Sequence, residues 1–540
     1  MGGDGERREE MIPIWSTVVR GVSLAFMLWL VSASGCYPPG NCTVTDNGDG
    51  TATITCPDWT SVTISNGQKG PGGPPALVVT ERVDVGDTNC PEGGYILYSG
   101  IDENEDGELQ EGEIYSLVYV CNGLDESPSG ILRGSYVINN EHDVRMIDGV
   151  SRITGDLEVY GKGLLELVLP HLQSVGGNLE IHDNDDLTKI SLENLSMVEG
   201  FVTIDSNPVL DSMFIPRLES VGDNLRIIDN PAVEELRLGE LTEVAGNLRL
   251  VNNHSLVLVD MGVLTSVGGI LELFDNDRIT NFVLPLLQTV SRLDIRRNPS
   301  LHDVDMMALE HVEDNLEVLF NNSLVAVDMP VLSSVGGKLC ITDNIAFSSI
   351  SMPALQTLGE MSVYSNSILR ELTMNKLAYI EKSMIIENNK SLATISLPAL
   401  EEVPKYIEIN RNNKLSEVRL DVLRFAEVVH VSYNPSLQSL SLPALRSLGP
   451  STINVELEII ENNSLTGIFC DSLTTVNGGI VISNNLNLNG FSFSSLRSCL
   501  ELQMSGNVSL CRSLVDSLID QLRANGWTGD PIVDGNDDTC

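Results

Sequence analysis

Apolar and polar residues alternate over short stretches that recur along most of the chain. In "NLEIHDN", Leu179 and Ile181 alternate with Glu180 and His182. This two-residue period is typical of a β-strand with one buried face. Similar stretches return as "NLRIIDN", "NLRLVNN" and "ILELFDN". The pattern therefore predicts many short strands, each with two inward apolar side chains.

An asparagine closes each of these stretches. The asparagines follow one another at steps of 22 or 23 residues, except for one step of 28 where "GPSTINVE" is inserted. A period this regular indicates a solenoid in which each repeat forms one coil. The asparagine amide can bond the turn and the next coil. The series is Asn184, Asn207, Asn230, Asn253, Asn276, Asn298, Asn321, Asn344, Asn366, Asn389, Asn412, Asn434, Asn462, Asn485 and Asn507.

Other apolar positions complete the coil. Leu187 and Ile190 predict a second inward side, and Leu169, Leu172 and Val175 predict a third. The strands of successive coils should lie about 4.8 Å apart in a parallel sheet. One coil has no core of its own, so stacking must create the core.

Glycine and proline mark the corners of the coil, and a helix follows the last coil. Pro170 and the pair Gly176–Gly177 predict turns. Beyond the repeats, residues 511–540 predict a helical disulfide cap, because an apolar stripe recurs there at helical spacing. The stripe consists of Leu514, Leu518 and Leu522.

The repeat resembles a known family. The pattern L-x-I-x-x-N-x-x-L, with "GG" before the strand, is similar to the receptor L domains of insulin and epidermal growth factor receptors and of bacterial and fungal surface proteins. The leucine falls three residues after the asparagine, as from Asn184 to Leu187, and not two as in ordinary leucine-rich repeats. The opening "GSYVINNEHDVRMIDGVSRITGDLEV" and the ending "GNVSLCRSLVDSLIDQLRANGW" fit the family's first coil and cap. The resemblance implies a ligand-binding solenoid. This chain has many more coils than known L domains, so their ligands are not carried over.

These patterns define the expected fold class. We predict a mainly β protein, a right-handed parallel β-helix or leucine-rich-repeat-like solenoid of about 15–16 coils over residues 134–510. A C-terminal helical cap and small N-terminal β modules complete it.

The start of the chain predicts export. Residues 1–35 contain a short apolar run of the size of a signal-peptide core, which is too short for a spanning helix. The run ends in "ASGC", which resembles the lipobox of bacterial lipoproteins and implies lipidation of Cys36. Tyr37 follows, and the sorting rules of that family then imply the outer membrane and the cell surface. The alternative is ordinary secretion with Cys36 in a disulfide.

Three small segments precede the solenoid. Residues 36–66 predict a disulfide-stapled β-hairpin, since alternating strand residues flank the turn signal "DNGDG". Residues 67–76 contain Gly-X-Y triplets. These are too few for a collagen helix and favour a stiff linker. Residues 77–123 predict a small β module, part of which resembles a module of unknown function in bacterial lipoproteins.

That β module contains the spacing of an EF-hand-type calcium loop. Oxygen ligands at alternate positions, a glycine at position 6 and a closing glutamate can wrap one hard cation. The flanking stretches "GGYILYS" and "IYSLVYVC" predict strands and not helices, so calcium would be structural. The alternative is an acidic turn without an ion. The candidate ligands are Asp102, Asn104, Asp106, Glu108, Gln110 and Glu113.

Cysteine parity agrees with an oxidising compartment. Of ten cysteines, lipidation of Cys36 leaves nine. Cysteines near one another in sequence are expected to pair in such a compartment. We predict Cys42–Cys56, Cys90–Cys121 and Cys511–Cys540, with Cys470–Cys499 as a further candidate and Cys340 as the odd thiol.

Charge and motifs narrow the function. The net charge of −43 disfavours nucleic-acid binding, which requires clustered basic residues. No metalloprotease, nucleophile-elbow or nucleotide-binding motif occurs, so we expect no enzymatic activity. The alternative is a carbohydrate-active β-helix, a polysaccharide lyase or hydrolase, that uses a pair of the abundant carboxylates.

One outward surface of the solenoid stands out from this acidic background. An apolar row lies beside arginines on five successive coils, a composition that marks interaction sites. The alternative is a locally paired charge ladder. The candidate ligand-binding residues are Arg226, Ile228, Arg249, Val251, Phe274, Arg296 and Leu319. The sequence therefore predicts a lipid-anchored, non-catalytic surface protein that binds a protein or glycan ligand, for adhesion or envelope scaffolding.

Overall fold

The structure of the protein is a computed structural model that describes residues 18–20, 43–46, 51–55, 61–65, 76–85, 92–101, 104, 109–121, 130–450 and 454–540. The chain divides into two compact units, residues 1–132 and 133–540. In the described residues no helix is both long and apolar enough to cross a membrane.

The first unit contains antiparallel strands. Three of them form one sheet and four form another, with a short 3₁₀ turn at Glu111–Glu113. The two strands of the predicted hairpin pair antiparallel and a third strand joins them, and strands flank the predicted calcium loop as expected. The strands are Thr43–Asp46, Thr51–Thr55 and Ser61–Ser65 in the first sheet, and Val18–Arg20, Ala76–Val85, Glu92–Ile101 and Ile114–Cys121 in the second. A further short strand is Ile131–Leu132, which belongs to neither of these two sheets.

The second unit is the predicted parallel β-solenoid, with about 16 coils. One long parallel sheet, the front sheet, runs along one side. Its face strands are Tyr136–Ile138, Leu157–Val159, Leu179–His182, Val202–Asp205, Leu225–Ile228, Leu248–Val251, Leu316–Leu319, Met384–Glu387, Val455–Ile460, Gly479–Ser483 and Glu501–Ser505.

Short corner strands precede the face strands and belong to the same sheet. They are Arg152–Ile153, Ser174–Val175, Met197–Val198, Ser220–Val221, Glu243–Val244, His311–Val312, Tyr379–Ile380, Ser447–Leu448 and Thr475–Val476. In six coils the corner and face strands are continuous, as Ser266–Phe274, Thr289–Arg296, Ser334–Thr342, Thr357–Tyr364, Glu402–Asn410 and Phe425–Ser432.

Three shorter parallel sheets, the back sheets, complete the coils. They are formed by Glu166–Val168, Lys189–Ser191, Ser212–Phe214, Glu235–Arg237 and Leu258–Asp260; by Asn281–Val283, Asp303–Asp305, Ala326–Asp328 and Ser349–Ser351; and by Glu371–Thr373, Thr394–Ser396, Glu417–Arg419, Ser439–Ser441, Gly467–Phe469 and Gly490–Ser492.

The core lies inside the coils, where the repeat places its apolar residues. Leu179 and Ile181 of the front sheet, Ile190 of the back sheet and Val175 of the corner are fully buried. Each inward residue stacks on its equivalent in the next coil, as Ile181 does on Ile204. Burial of such side chains contributes about 1.5–3 kcal/mol each. The three inward sides predicted from the repeat are confirmed.

The recurring asparagines form a buried ladder. Asn184 to Asn507 are all fully buried, and each passes hydrogen bonds to the next coil. Asn207, for example, donates from Nδ2 to the Ile181 carbonyl at 3.0 Å and to Asn230 Oδ1 at 3.0 Å. The ladder therefore satisfies turn groups that would otherwise be buried without partners.

The residue before each ladder asparagine has a left-handed backbone. Its φ lies between 52° and 59° wherever the residue is not glycine. Aspartate and asparagine tolerate this conformation, whereas bulky residues pay about 1–2 kcal/mol for it. Phe320 has φ 58° and is 48% exposed, so its ring offsets little of that cost by packing.

We expect Phe320→Asn to raise the free energy of unfolding by up to about 1 kcal/mol, because asparagine relieves the backbone cost. Thermal unfolding followed by circular dichroism measures the gain. Phe214→Asn is the matched control, since Phe214 is similarly exposed at 42% but lies in an extended strand. A lower unfolding temperature for Phe320→Asn than for the unchanged protein would contradict this account.

Helices lie at both ends of this unit. Glu141–Met146 begins at Asn140, whose side chain caps the first turn, and Arg512–Ala524 follows the last coil. The C-terminal helix confirms the predicted cap, but its buried stripe is Val515, Leu518, Ile519 and Leu522. Leu514 was placed on this stripe wrongly and is 40% exposed, because the helix is rotated to bury Val515 and Ile519.

The C-terminal tail continues the ladder. Asn536 accepts a hydrogen bond from the Asn507 backbone N–H at 3.2 Å and donates to the Met504 carbonyl at 2.6 Å. The disulfide Cys511–Cys540 joins the start of the helix to the end of the tail. The last coil is thus closed by the tail as well as by the helix.

Candidate ligand-binding face

The front sheet has an outward surface, the front face, formed by alternate residues of the face strands. Strand register places Arg226 beside Arg249, and Ile228 beside Val251. The row that begins with Ile228 and Val251 continues, one residue per coil, with Phe274, Arg296 and Leu319. The structure therefore brings the seven predicted residues together in two adjacent rows.

The apolar row is only partly accessible. Ile228, Phe274 and Leu319 are half-buried, and Val251 is 9% exposed. Arg296 interrupts the row between Phe274 and Leu319. Ile228, Phe274 and Leu319 therefore provide the accessible apolar surface of this row.

Most basic side chains of this face are engaged by neighbouring carboxylates. Arg249 donates from Nε to Glu272 Oε2 at 2.5 Å across adjacent coils. Lys338 Nζ lies 3.3 Å from Glu360 Oε1. For these residues the paired-ladder interpretation of the sequence is correct.

A four-membered network lies at the centre of the face. Asp294 and Glu317 occupy adjacent coils, and both contact Arg292 and Arg296. Arg296 Nη2 lies 2.5 Å from Glu317 Oε2, and Arg292 Nη2 lies 3.3 Å from the same oxygen. Burial raises the pKa of Asp294, while the two guanidinium groups oppose that shift. The network neutralises two carboxylates and holds Arg296 in place.

Arg226 differs from these residues. In the part of the chain that the structure describes, it forms no ion pair, and its Nε is buried without a hydrogen-bond partner. Its neighbours in the same row are Thr203 and Arg249. Arg226 therefore has no carboxylate partner among the described residues, and this sets it apart from Arg292, whose Nε is likewise buried without a hydrogen-bond partner but whose Nη2 pairs with carboxylates.

Three residues of the face were missed by the sequence analysis. Phe201 and Ile270 are half-buried beside the two rows, one position before the first inward residue of their strands. The guanidinium of Arg297 lies 5.6 Å from the centre of the Phe274 ring. Phe201 and Ile270 could have been found by extending the alternation by one step, whereas the Arg297 contact depends on its left-handed backbone.

The first coils of the same face have a different chemistry. The His182 ring stacks on Tyr160 at 5.6 Å, and its nitrogens lie 3.3 Å from Glu158 and 3.0 Å from Asp183. Burial lowers the pKa of His182, but the hydrogen bonds to Asp183 and Glu158 outweigh it and raise the pKa overall. The two rows that begin at Arg226 and Ile228 therefore lie beyond the coils that carry Tyr160 and His182 with their acidic neighbours.

The predicted calcium ligands are described only in part. Asp102, Asp106 and Glu108 lie outside the described residues. Asn104 and Gln110 are exposed, and Glu113 is buried and accepts a hydrogen bond from the Gln110 backbone N–H at 3.0 Å. Among the described residues, no group of three or more acidic, histidine or cysteine side chains is placed to hold a metal ion.

The cysteines agree with the sequence analysis in part. Cys511–Cys540 is confirmed, and Cys340 is a free buried thiol as predicted. Cys36, Cys42, Cys56 and Cys90, and the side chain of Cys121, lie outside what the structure describes.

The candidate pair Cys470–Cys499 is wrong, because both residues are free and buried in the core. Burial raises the pKa of Cys470 to about 12 and that of Cys499 to about 11, so both thiols stay protonated at neutral pH.

Known protein families match only a small part of this chain. Residues 76–121 match a domain of unknown function, DUF7151, which describes the small β module and leaves the solenoid unassigned. No curated protein matches the chain. Among solved structures, a leucine-rich repeat protein from Bacteroides ovatus is 16% identical with a TM-score of 0.28, over 68% of this chain and 84% of that one. A TLR13–ssRNA13 complex is 12% identical with a TM-score of 0.13, over 73% and 83%.

Proposed function

We propose that the solenoid is a non-catalytic scaffold that binds a ligand on its front face. The observation that supports this function most strongly is the pair of adjacent rows in which half-buried Ile228 lies beside Arg226 and half-buried Phe274 lies two coils further on. Accessible apolar side chains next to arginine are typical of interaction sites. A rigid array of hydrogen-bonded coils holds them at fixed spacing, which lowers the entropic cost of binding.

The state of the carboxylates favours binding over catalysis. Asp294, which is buried, and Glu317, which is half-buried, are the acidic neighbours that a carbohydrate-active enzyme would use, but each contacts two guanidinium groups. These arginine contacts occupy the carboxylate oxygens that an acid–base pair would have to present to a glycosidic bond. The runner-up function, a polysaccharide lyase or hydrolase, is therefore less favoured.

The setting of this scaffold is also a proposal. The lipobox-like sequence at Cys36 supports lipid anchoring and an outer-membrane, cell-surface location. The EF-hand-type spacing from Asp102 to Glu113 supports a structural calcium ion near the anchor. The coil sequence supports a specific relation to receptor L domains. Adhesion to a neighbouring cell or scaffolding of the envelope by a protein or glycan ligand, without nucleic acid, would suit an acidic protein in this place.

We expect Phe274→Asp to reduce ligand capture by about tenfold or more, because it places a charge in the apolar row. The measurement is a quantitative pull-down from bacterial envelope extract with the full chain. Phe214→Asp on a back sheet is the matched control and should bind normally, since Phe214 is exposed on another face. Equal capture by both variants, with unchanged circular dichroism, would exclude the front face as the binding surface.

A further inference from the structure

The positive charges of the front face differ in availability. Arg249, Arg292, Arg296 and Lys338 all contact carboxylates within 4 Å. Arg226 contacts none among the described residues, and its Nε is shielded from water without a hydrogen-bond partner. A guanidinium has five donors, and leaving a buried donor unsatisfied is unfavourable. Because Nε is shielded, an incoming carboxylate would act mainly by supplying the opposite charge that this guanidinium lacks among the described residues.

We infer that the front face recognises a peptide segment in which one carboxylate side chain, flanked by apolar residues, binds Arg226. This inference rests on the proposed ligand-binding function and specifies its partner. The positive side chain supplies the complementary charge, and a guanidinium can bind a carboxylate through two parallel hydrogen bonds. The neighbouring Arg249 is already neutralised by Glu272 and adds little further attraction.

The surroundings of Arg226 fit a peptide better than a sugar. Ile228 follows two positions later on the same strand, and Val251 lies beside it in the next coil. These two neighbours are aliphatic and offer no flat aromatic plane, whereas the half-buried Phe201 lies one coil before Arg226 and the Phe274 ring is approached by Arg297. They match the apolar side chains of a peptide.

Spacing supports the same partner. Residues two apart on a strand are about 6.7 Å apart and point to the same side. An extended peptide that runs parallel to the strand has the same spacing, so an acidic side chain over Arg226 places the second residue along over Ile228. The net charge of −43 repels a generally acidic partner, which favours a single carboxylate in an apolar segment.

The test begins with a random twelve-residue peptide library displayed on phage and selected against the full chain. We expect enriched peptides to carry one aspartate or glutamate with an apolar residue two positions away. Synthetic copies are then titrated by fluorescence anisotropy against the unchanged protein, Arg226→Gln and Arg237→Gln. Arg237 is the matched control because it lies on a back sheet and pairs with Glu235.

The expected result is a dissociation constant that rises about tenfold or more for Arg226→Gln and stays constant for Arg237→Gln. Replacing the peptide carboxylate by an amide should weaken binding to the unchanged protein and not to Arg226→Gln. The inference is overturned if no peptide is selected, if the peptides lack an acid, or if Arg226→Gln binds equally well. If the selected peptides bind Arg226→Gln normally but bind Phe274→Asp more weakly, the proposed function is supported and only the role of Arg226 is excluded. Should Phe274→Asp also bind them normally, the front face is not their site.

Discussion

Asn298→Ala is expected to lower the free energy of unfolding by about 2–6 kcal/mol, because it breaks the ladder in the middle of the solenoid. Asn298 Nδ2 donates to the carbonyls of Leu273 and Arg296 at 3.0 and 2.9 Å. Its Oδ1 accepts from the Asn276 backbone N–H at 3.1 Å. Alanine removes the side-chain partner of the Asn276 N–H and of the Leu273 carbonyl, whereas the Arg296 carbonyl still accepts from the Asp275 N–H at 3.2 Å. Each buried group that loses its partner costs about 1–3 kcal/mol.

The measurement is urea unfolding combined with native-state hydrogen exchange, which shows whether the coils on either side of the lesion open first. Asn322→Ala is the control, because Asn322 is exposed one position after the next ladder residue. Its effect should stay within about 0.5 kcal/mol. Asn298→Asp should be nearly as harmful as alanine, since a carboxylate cannot donate to the two carbonyls. An unfolding midpoint equal to that of Asn322→Ala would show that the ladder does not hold the coils together.

Sequence alone was sufficient for the ladder because the signal is redundant. Fifteen asparagines recur at a near-constant step, so the coil, its inward sides and the strand register follow from one period. The final rung escaped this reasoning. Asn536 lies 29 residues after Asn507, and a helix intervenes between them. The period is lost there, and only the folded tail shows that Asn536 continues the series.

The sequence predicts the two rows of the front face but not the ion pairs between its side chains. Register fixed which residues are neighbours, and the seven candidates do lie together. Which arginine remains uncommitted depends on side-chain reach. Arg292 stands outside the two predicted rows, yet its guanidinium contacts both Asp294 and Glu317. Alternation along a strand contains no information on such diagonal contacts, so Arg226 and Arg296 looked equivalent in the sequence.

The sequence analysis placed the corner glycines correctly but gave the wrong reason for glycine at these positions. We expected Gly176 and Gly177 to be needed for turn conformation, but neither has a positive φ. A Cβ on Gly176 would lie 2.6 Å from the Thr154 carbonyl oxygen in the preceding coil. Glycine is required because backbones of successive coils approach closely at this corner, and this contact separates residues that are distant in sequence.

Gly222 lies at an equivalent corner, where the same kind of backbone contact predicts a large loss of stability on substitution. Gly222→Ala is expected to destabilise the protein by about 2–3 kcal/mol, at the upper end of overpacking effects. A Cβ there would lie 1.9 Å from the Glu199 carbonyl oxygen and 2.7 Å from its carbon. Both atoms belong to the backbone, so no side-chain rotation relieves the clash. The coils cannot separate freely either, because the Gly222 N–H donates to the Val198 carbonyl at 2.9 Å.

Gly262→Ala separates this steric effect from the general effect of replacing glycine. Gly262 lies in the same unit, has no positive φ, and an added Cβ would meet only Asp260 Oδ1 at 3.8 Å. Alanine there should leave stability unchanged or raise it by about 0.4–1 kcal/mol, since it restricts the unfolded chain. Urea unfolding of both variants measures the difference. Both variants replace glycine by alanine, so equal changes in the free energy of unfolding would mean that the corner is not tightly packed. A loss for Gly222→Ala and a gain for Gly262→Ala would show that the coils touch through their backbones at this corner.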